Sequence, residues 1–148
     1  MAVALVVDYV SGTRIYCTVL IGGELSNHKG INLKGGGLSA KALTQKDQED
    51  ILALARWNAD YVALSFVRSA QDIEEGRVLL QQAGSQARLI AKMERTEAIA
   101  AMDEIIDASD AIMVARGDLG VELGYADLPG VQKILIRHAL ARDKAVIT

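Results

Sequence analysis

Lys92, Glu94 and Asp118 are the residues of this sequence best suited to do chemistry together. The run Arg88-Leu89-Ile90-Ala91-Lys92 reads as a strand, closed by Met93 and Glu94. Side chains alternate along a strand, so Lys92 and Glu94 point the same way, one layer apart. At the C-terminal end of a parallel strand they lie on the face where α/β folds build their sites. Arg116-Gly117-Asp118-Leu119-Gly120 follows another strand. Its two glycines let the backbone turn sharply and expose N–H groups beside one carboxylate. Glu94 and Asp118 together supply the few hard oxygens that Mg²⁺ asks of a protein, water completing its shell. With Lys92 they suit a reaction in which negative charge on phosphate and enolate oxygens must be neutralised. Each feature also has a plainer reading. Lys92 and Glu94 are a strand-end ion pair by spacing alone, and Asp118 could cap a short helix in a βα turn.

Other candidates carry less. Gly35-Gly36-Gly37 does not follow a strand, open a helix or precede Lys-Ser/Thr, so it is no P-loop. It reads as a hinge. His28, in a Gly/Asn-rich turn, and His138, on a helix, have no ligand partner at metal-binding spacing and read as surface or rim residues. Cys17 reads as a small core hydrophobe, and Trp57 and Met113 as packing residues.

The elements that would position these residues fall into two textures. Residues 2–34 are rich in Val, Ile, Tyr and Thr, with strands expected at 2–9 and 14–21 joined by a tight turn at Ser11-Gly12-Thr13. After the three glycines the pattern becomes βαβα. Thr44 and Asp47 mark a helix start, and Ser69 another. Strands are expected at 61–66, 88–92, 111–115 and 145–148 as parallel neighbours in chain order. Helices intervene, that at 96–108 in two pieces and the last opening at Pro129. Such alternation implies a parallel sheet, doubly wound or a barrel, and four strands cannot close an eight-stranded barrel.

The 148 residues are 51% hydrophobic and 24% charged, the composition of a globular domain. Net charge is −3, the 16 basic residues form no patch, and aromatics are 4%. Nucleic-acid binding is therefore not expected. No apolar run approaches the roughly 20 residues of a membrane span, and the N-terminus lacks the basic region of a signal peptide. With its single cysteine, the chain is expected in the cytoplasm, without a membrane partner.

Several runs together resemble one family. Leu89-Ile90-Ala91-Lys92-Met93-Glu94-Arg95 looks like the signature of pyruvate kinases, and Ile112-Met113-Val114-Ala115-Arg116-Gly117-Asp118-Leu119-Gly120-Val121-Glu122 like their other well-known run. Ser26 to Leu33, Leu43-Thr44-Gln45-Lys46-Asp47 and Ser65-Phe66-Val67-Arg68 are similar too, in the right order.

The resemblance implies a partial (β/α)8 TIM barrel of about four βα units, preceded by the end of a small β-barrel lid domain. Residues 1–34 would be that lid, 35–37 the hinge and 38–148 the truncated catalytic barrel. It implies Lys92 as the catalytic lysine that stabilises the transferring phosphoryl group and the enolate. Glu94 and Asp118 would be the ligands of Mg²⁺ (or Mn²⁺), and Lys92, Gly117 and Asp118 would contact phosphoenolpyruvate. ADP and ATP would be the other substrates, and a homotetramer the assembly. The family's K⁺ ligands are absent from these residues, and its Ala-Thr-Gln-Met motif would begin directly after Thr148. Met93 stands where Ile or Val is usual. The 148 residues alone are accordingly expected to be inactive. Two other readings stand beside this one: a metal-dependent enolate lyase or aldolase on the same kind of barrel, and a truncated product without catalysis.

Overall fold

The computed structural model describes residues 3–27, 30–37 and 42–148. His28 and Lys29 lie outside them, as does Ala2, the expected start of the first strand. The chain divides into two compact units, Met1–Ile31 and Asn32–Thr148.

The first unit is an antiparallel ribbon of β1 (Ala4–Ser11) and β2 (Arg14–Ile21), closed by the pair Ser11 and Arg14. Gly12 takes φ 59° in the turn, a conformation glycine reaches without the Cβ penalty. The register shifts between Val7 and Tyr9, and Asp8 there accepts a hydrogen bond from Thr18 Oγ1 at 3.0 Å. Tyr9 and Tyr16 stack with ring centroids 4.4 Å apart. Cys17 is exposed, which overturns its reading as a core residue. A two-stranded ribbon offers no second layer to bury either face.

The second unit is α/β. Four strands, β3 (Tyr61–Leu64), β4 (Arg88–Met93), β5 (Ala111–Val114) and β6 (Ala145–Ile147), lie parallel and in chain order, as expected. Between them run α1 (Gln45–Arg56), α2 (Ala70–Gln82), α3 (Thr96–Ala100), α4 (Met102–Ala108), α5 (Arg116–Leu123) and α6 (Leu128–Leu140). Helix α1 begins where its capping box places it: Asp47 N–H donates to Thr44 Oγ1 at 3.3 Å, and Thr44 N–H to Asp47 Oδ2 at 2.7 Å. Asp72 does the same service for α2, accepting from the N–H groups of Arg68 and Ser69. Trp57, at the C-cap of α1, is 75% exposed and does not pack as expected. A residue just past the helix no longer follows its apolar stripe.

Alternation sorts the sheet into two faces. Val62, Leu64, Leu89, Ala91, Met93, Ile112 and Val114 join Ile73, Leu80, Ile105, Ile106 and Leu135 of the helices in one core. Helix α2 comes so close to β3 that a Cβ on Gly76 would lie 2.6 Å from Leu64 Cδ1. Lys92 belongs to the other face, in register with Met113 and Ile147. Among the described residues, no helix is long and apolar enough to cross a membrane.

Candidate active site

Strand β4 delivers Lys92 as its penultimate residue and Glu94 as the first residue beyond it. Lys92 and Glu94 point the same way, as strand alternation requires: Lys92 Nζ lies 2.6 Å from Glu94 Oε1. Lys92 also donates to Ser65 Oγ at 2.8 Å. Glu94 is almost fully enclosed, with 1% of its side chain exposed, against 26% for Lys92. Its second oxygen, Oε2, accepts the Phe66 N–H at 2.8 Å. A carboxylate taken out of water is tolerated only when paired and hydrogen-bonded, and both conditions are met here. Each oxygen still has a lone pair to offer, because a carboxylate accepts at about four positions.

The chain reaches Phe66 by ending β3 at Leu64, two residues earlier than expected. Phe66 then turns into the left-handed region at φ 58° and aims its N–H at Glu94. Register explains Ser65: Leu64 pairs with Ala91, so the next residue on each strand is Ser65 and Lys92.

Asp118 follows the neighbouring strand, in the helix after it. Val114 closes β5 level with Met93, and α5 starts at Arg116. Asp118 lies in the first turn of α5, where the helix dipole favours negative charge. It is not the cap, since Ala115 holds that position. Asp118 is half-buried, and its Oδ1 accepts from Asn32 Nδ2 at 3.0 Å. The structure therefore joins Lys92 to Glu94 directly, while Asp118 is hydrogen-bonded to Asn32. Gly117 is exposed, and a Cβ there would meet nothing within 4 Å. Among the described residues, no group of three or more His, Cys, Asp and Glu side chains is placed to hold a metal.

A second polar group borders the first. Arg95, 3% exposed, has its Nε 3.5 Å from Glu97 Oε2 and 3.8 Å from Glu122 Oε1. Glu122 Oε2 accepts both the N–H and the hydroxyl of Thr96 at 2.9 Å. Glu97 Oε1 accepts the Gly37 N–H at 2.8 Å, and Gly35 N–H donates to the Glu122 carbonyl at 3.2 Å. Burial pushes the Glu97 carboxyl up. Its own N–H, that of Gly37, and the charges of Arg95 and Arg68 outweigh this and hold it below the usual range.

The family model described as pyruvate kinase, barrel domain, matches residues 2–148. The chain belongs to the pyruvate kinase family. It is 56% identical over 140 residues to the pyruvate kinase of Haemophilus influenzae, covering 93% of this chain and 29% of that one. With pyruvate kinase II of Salmonella typhimurium the identity is 53% over 142 residues, or 94% of this chain and 30% of the relative. With the pyruvate kinase of Mycobacterium intracellulare it is 48% over 145 residues, or 98% and 31%. The chain spans about three tenths of the length of these curated relatives.

Pyruvate kinase membership agrees with the motifs that carried the resemblance and disfavours the lyase or aldolase reading. Sequence reasoning missed the roles of Ser65, Phe66 and Asn32, although all three lie inside runs that carry the pyruvate kinase resemblance. A serine near the end of the expected strand 61–66, followed by a strand ending in a lysine, was the available signal for Ser65.

Proposed function

We propose that the whole protein carrying these residues transfers a phosphoryl group from phosphoenolpyruvate to ADP, giving pyruvate and ATP. The Lys92–Glu94 pair carries this reading, because it puts an ammonium beside an enclosed carboxylate at one strand end of a pyruvate kinase chain. The Lys92 ammonium balances charge on the transferring phosphoryl group and on the enolate left behind. Positioned charge of this kind is most of what phosphoryl transfer asks of a protein. The backbone of Gly117 and Asp118, at the open N-terminus of α5, receives phosphoenolpyruvate.

Glu94 and Asp118 would hold Mg²⁺, or Mn²⁺ in its place, and the donor set fits: two hard carboxylates with free lone pairs. When bound, the ion neutralises developing charge on phosphate and enolate oxygens. K⁺ would be held by residues outside this chain. Residues 1–34 are read as the end of an inserted β lid domain, 35–37 as its hinge and 38–148 as about four βα units of a (β/α)8 barrel. A cytoplasmic homotetramer completes the proposal.

The test is a lactate dehydrogenase-coupled assay on the whole protein with phosphoenolpyruvate, ADP, Mg²⁺ and K⁺. Oxidation of NADH dependent on both substrates is expected. Its absence in the intact protein, with metal and K⁺ saturating, overturns the assignment.

A further inference from the structure

Asn32 and Asp118 are 86 residues apart in the chain, yet Asn32 Nδ2 donates to Asp118 Oδ1 at 3.0 Å. An ionised carboxylate only accepts, so the amide nitrogen must face it. This bond fixes Oδ1, and among the described residues no hydrogen bond is made to Oδ2.

A lone asparagine on a loose segment would lose this bond to conformational entropy. Asn32 is not on a loose segment. The following residues are tied down at successive points: Gly35 N–H to the Glu122 carbonyl, Gly36 N–H to the Leu33 carbonyl at 2.9 Å, and Gly37 N–H to Glu97 Oε1. Gly35, Gly36 and Gly37 all have φ between 80° and 91°, which side chains rarely adopt. Gly36 is also buried, and a Cβ there would sit 2.5 Å from Thr96 Oγ1. That hydroxyl cannot easily yield, because it donates to Glu122 Oε2.

The points of attachment share a logic. Asp118 and Glu122 are four apart on α5, hence on one face. Thr96 and Glu97 open α3, directly after Glu94 and Arg95. The strap 32–37 therefore touches both the helix that carries Asp118 and the turn that follows Glu94.

We propose that this strap is a positioning element, with Asn32 orienting the Asp118 carboxylate and the close seat of Gly36 on Thr96 holding Asn32 in place. The inference rests on the reading of Asp118 as a metal ligand. It predicts that the strap sets affinity for a divalent cation without supplying a ligand to it.

The experiment titrates Mn²⁺ alone into the whole protein, with free ion read by electron paramagnetic resonance and thermal midpoints measured alongside. Asn32→Ala is expected to weaken Mn²⁺ binding about tenfold, the usual scale for a residue that orients a metal ligand. Its thermal midpoint should stay close to wild type. Gly36→Ala should weaken binding in the same direction, and the double variant should be little worse than the stronger single one. Asp118→Asn separates the two levels. If it lowers Mn²⁺ affinity while Asn32→Ala binds like wild type, the strap inference falls alone. If Asp118→Asn itself binds Mn²⁺ like wild type, the metal reading falls and takes the inference with it. Fully additive losses in the double variant overturn the coupling of Gly36 to Asn32. Should Gly36→Ala fail to fold, Asn32→Ala decides the matter by itself.

Discussion

Phe66 donates its N–H to Glu94 Oε2 at 2.8 Å from a backbone angle, φ 58°, that a bulky residue seldom takes. The Phe66 side chain is itself 42% exposed, so packing alone gives little reason for the strain. The hydrogen bond to an enclosed carboxylate gives a better one. Glycine adopts this angle freely, whereas a β-branched residue does not. Phe66→Gly should leave stability within about 1 kcal/mol of wild type, relief of strain offsetting lost side-chain contacts. Phe66→Val should cost about 1–3 kcal/mol. Urea denaturation of the two variants checks this, and equal stabilities would remove the strain argument.

Lys92 and Glu94 should be separable by kinetics. Lys92→Met is expected to lower kcat about 10²- to 10³-fold, the scale for removing one preorganised charge partner, with the Mg²⁺ requirement nearly unchanged. Glu94→Ala should instead raise the Mg²⁺ concentration needed for half-maximal rate. Wild-type activity in both variants would defeat the role assignment. The pair also has a stability signature. Lys92→Met leaves an enclosed carboxylate with one N–H partner and should cost about 1–3 kcal/mol, part of which Glu94→Gln in the same chain restores.

His138, expected to be an ordinary surface residue, joins a clasp between α4 and α6. Its Nδ1 is 2.7 Å from Asp103 Oδ1, and Arg142 Nη2 is 2.9 Å from the same oxygen. The His138 hydrogen bond holds the Asp103 carboxyl below its ordinary 3.8; desolvation opposes it, and the charges of Arg142 and His138 add to it. A depressed carboxyl stabilises the fold above its unfolded pKa, and that contribution is lost as pH falls through the folded value. The thermal-midpoint gap between wild type and Asp103→Asn should therefore persist through the ordinary carboxylate range and close only at more acidic pH. A gap that survives at pH 2 would show that charge is not its origin.

The 148-residue chain by itself should not reach about 1 turnover per second in the coupled assay. It should also self-associate. Val10 and Ile15 in the ribbon are 62% and 63% exposed, and Ile147 on the edge strand β6 is 42% exposed. Open strand edges with apolar side chains invite pairing with another chain. Sedimentation velocity would check this, with a single dilute-like monomer peak at high concentration as the contrary result.

What was legible in the sequence was whatever local chemistry decides. The four parallel strands followed from apolar runs spaced by helical stripes, and the starts of α1 and α2 from Thr44 and Ser69. The Lys92–Glu94 pair followed from strand parity. Helix α5 was harder, because Gly117 and Gly120 weaken its helical signal and a turn fitted the same residues. Cys17 and Trp57 were misjudged since their types suggest cover that the surrounding residues do not supply. Phe66, Ser65 and Asn32 act across 28, 27 and 86 residues. No local pattern announces a partner that folding alone brings near.

Gly76 lies on the far side of β3 from the chemistry, yet it sets how deeply α2 beds against Leu64. Leu64 is the last residue of its strand, and two residues on stands Phe66, whose N–H holds Glu94. A single added methyl at Gly76 would have to displace either a helix or the strand end that feeds the site. The outer helices therefore act as a gauge for the inner groups, and a change in this protein far from any ligand can alter its chemistry through the thickness of one contact.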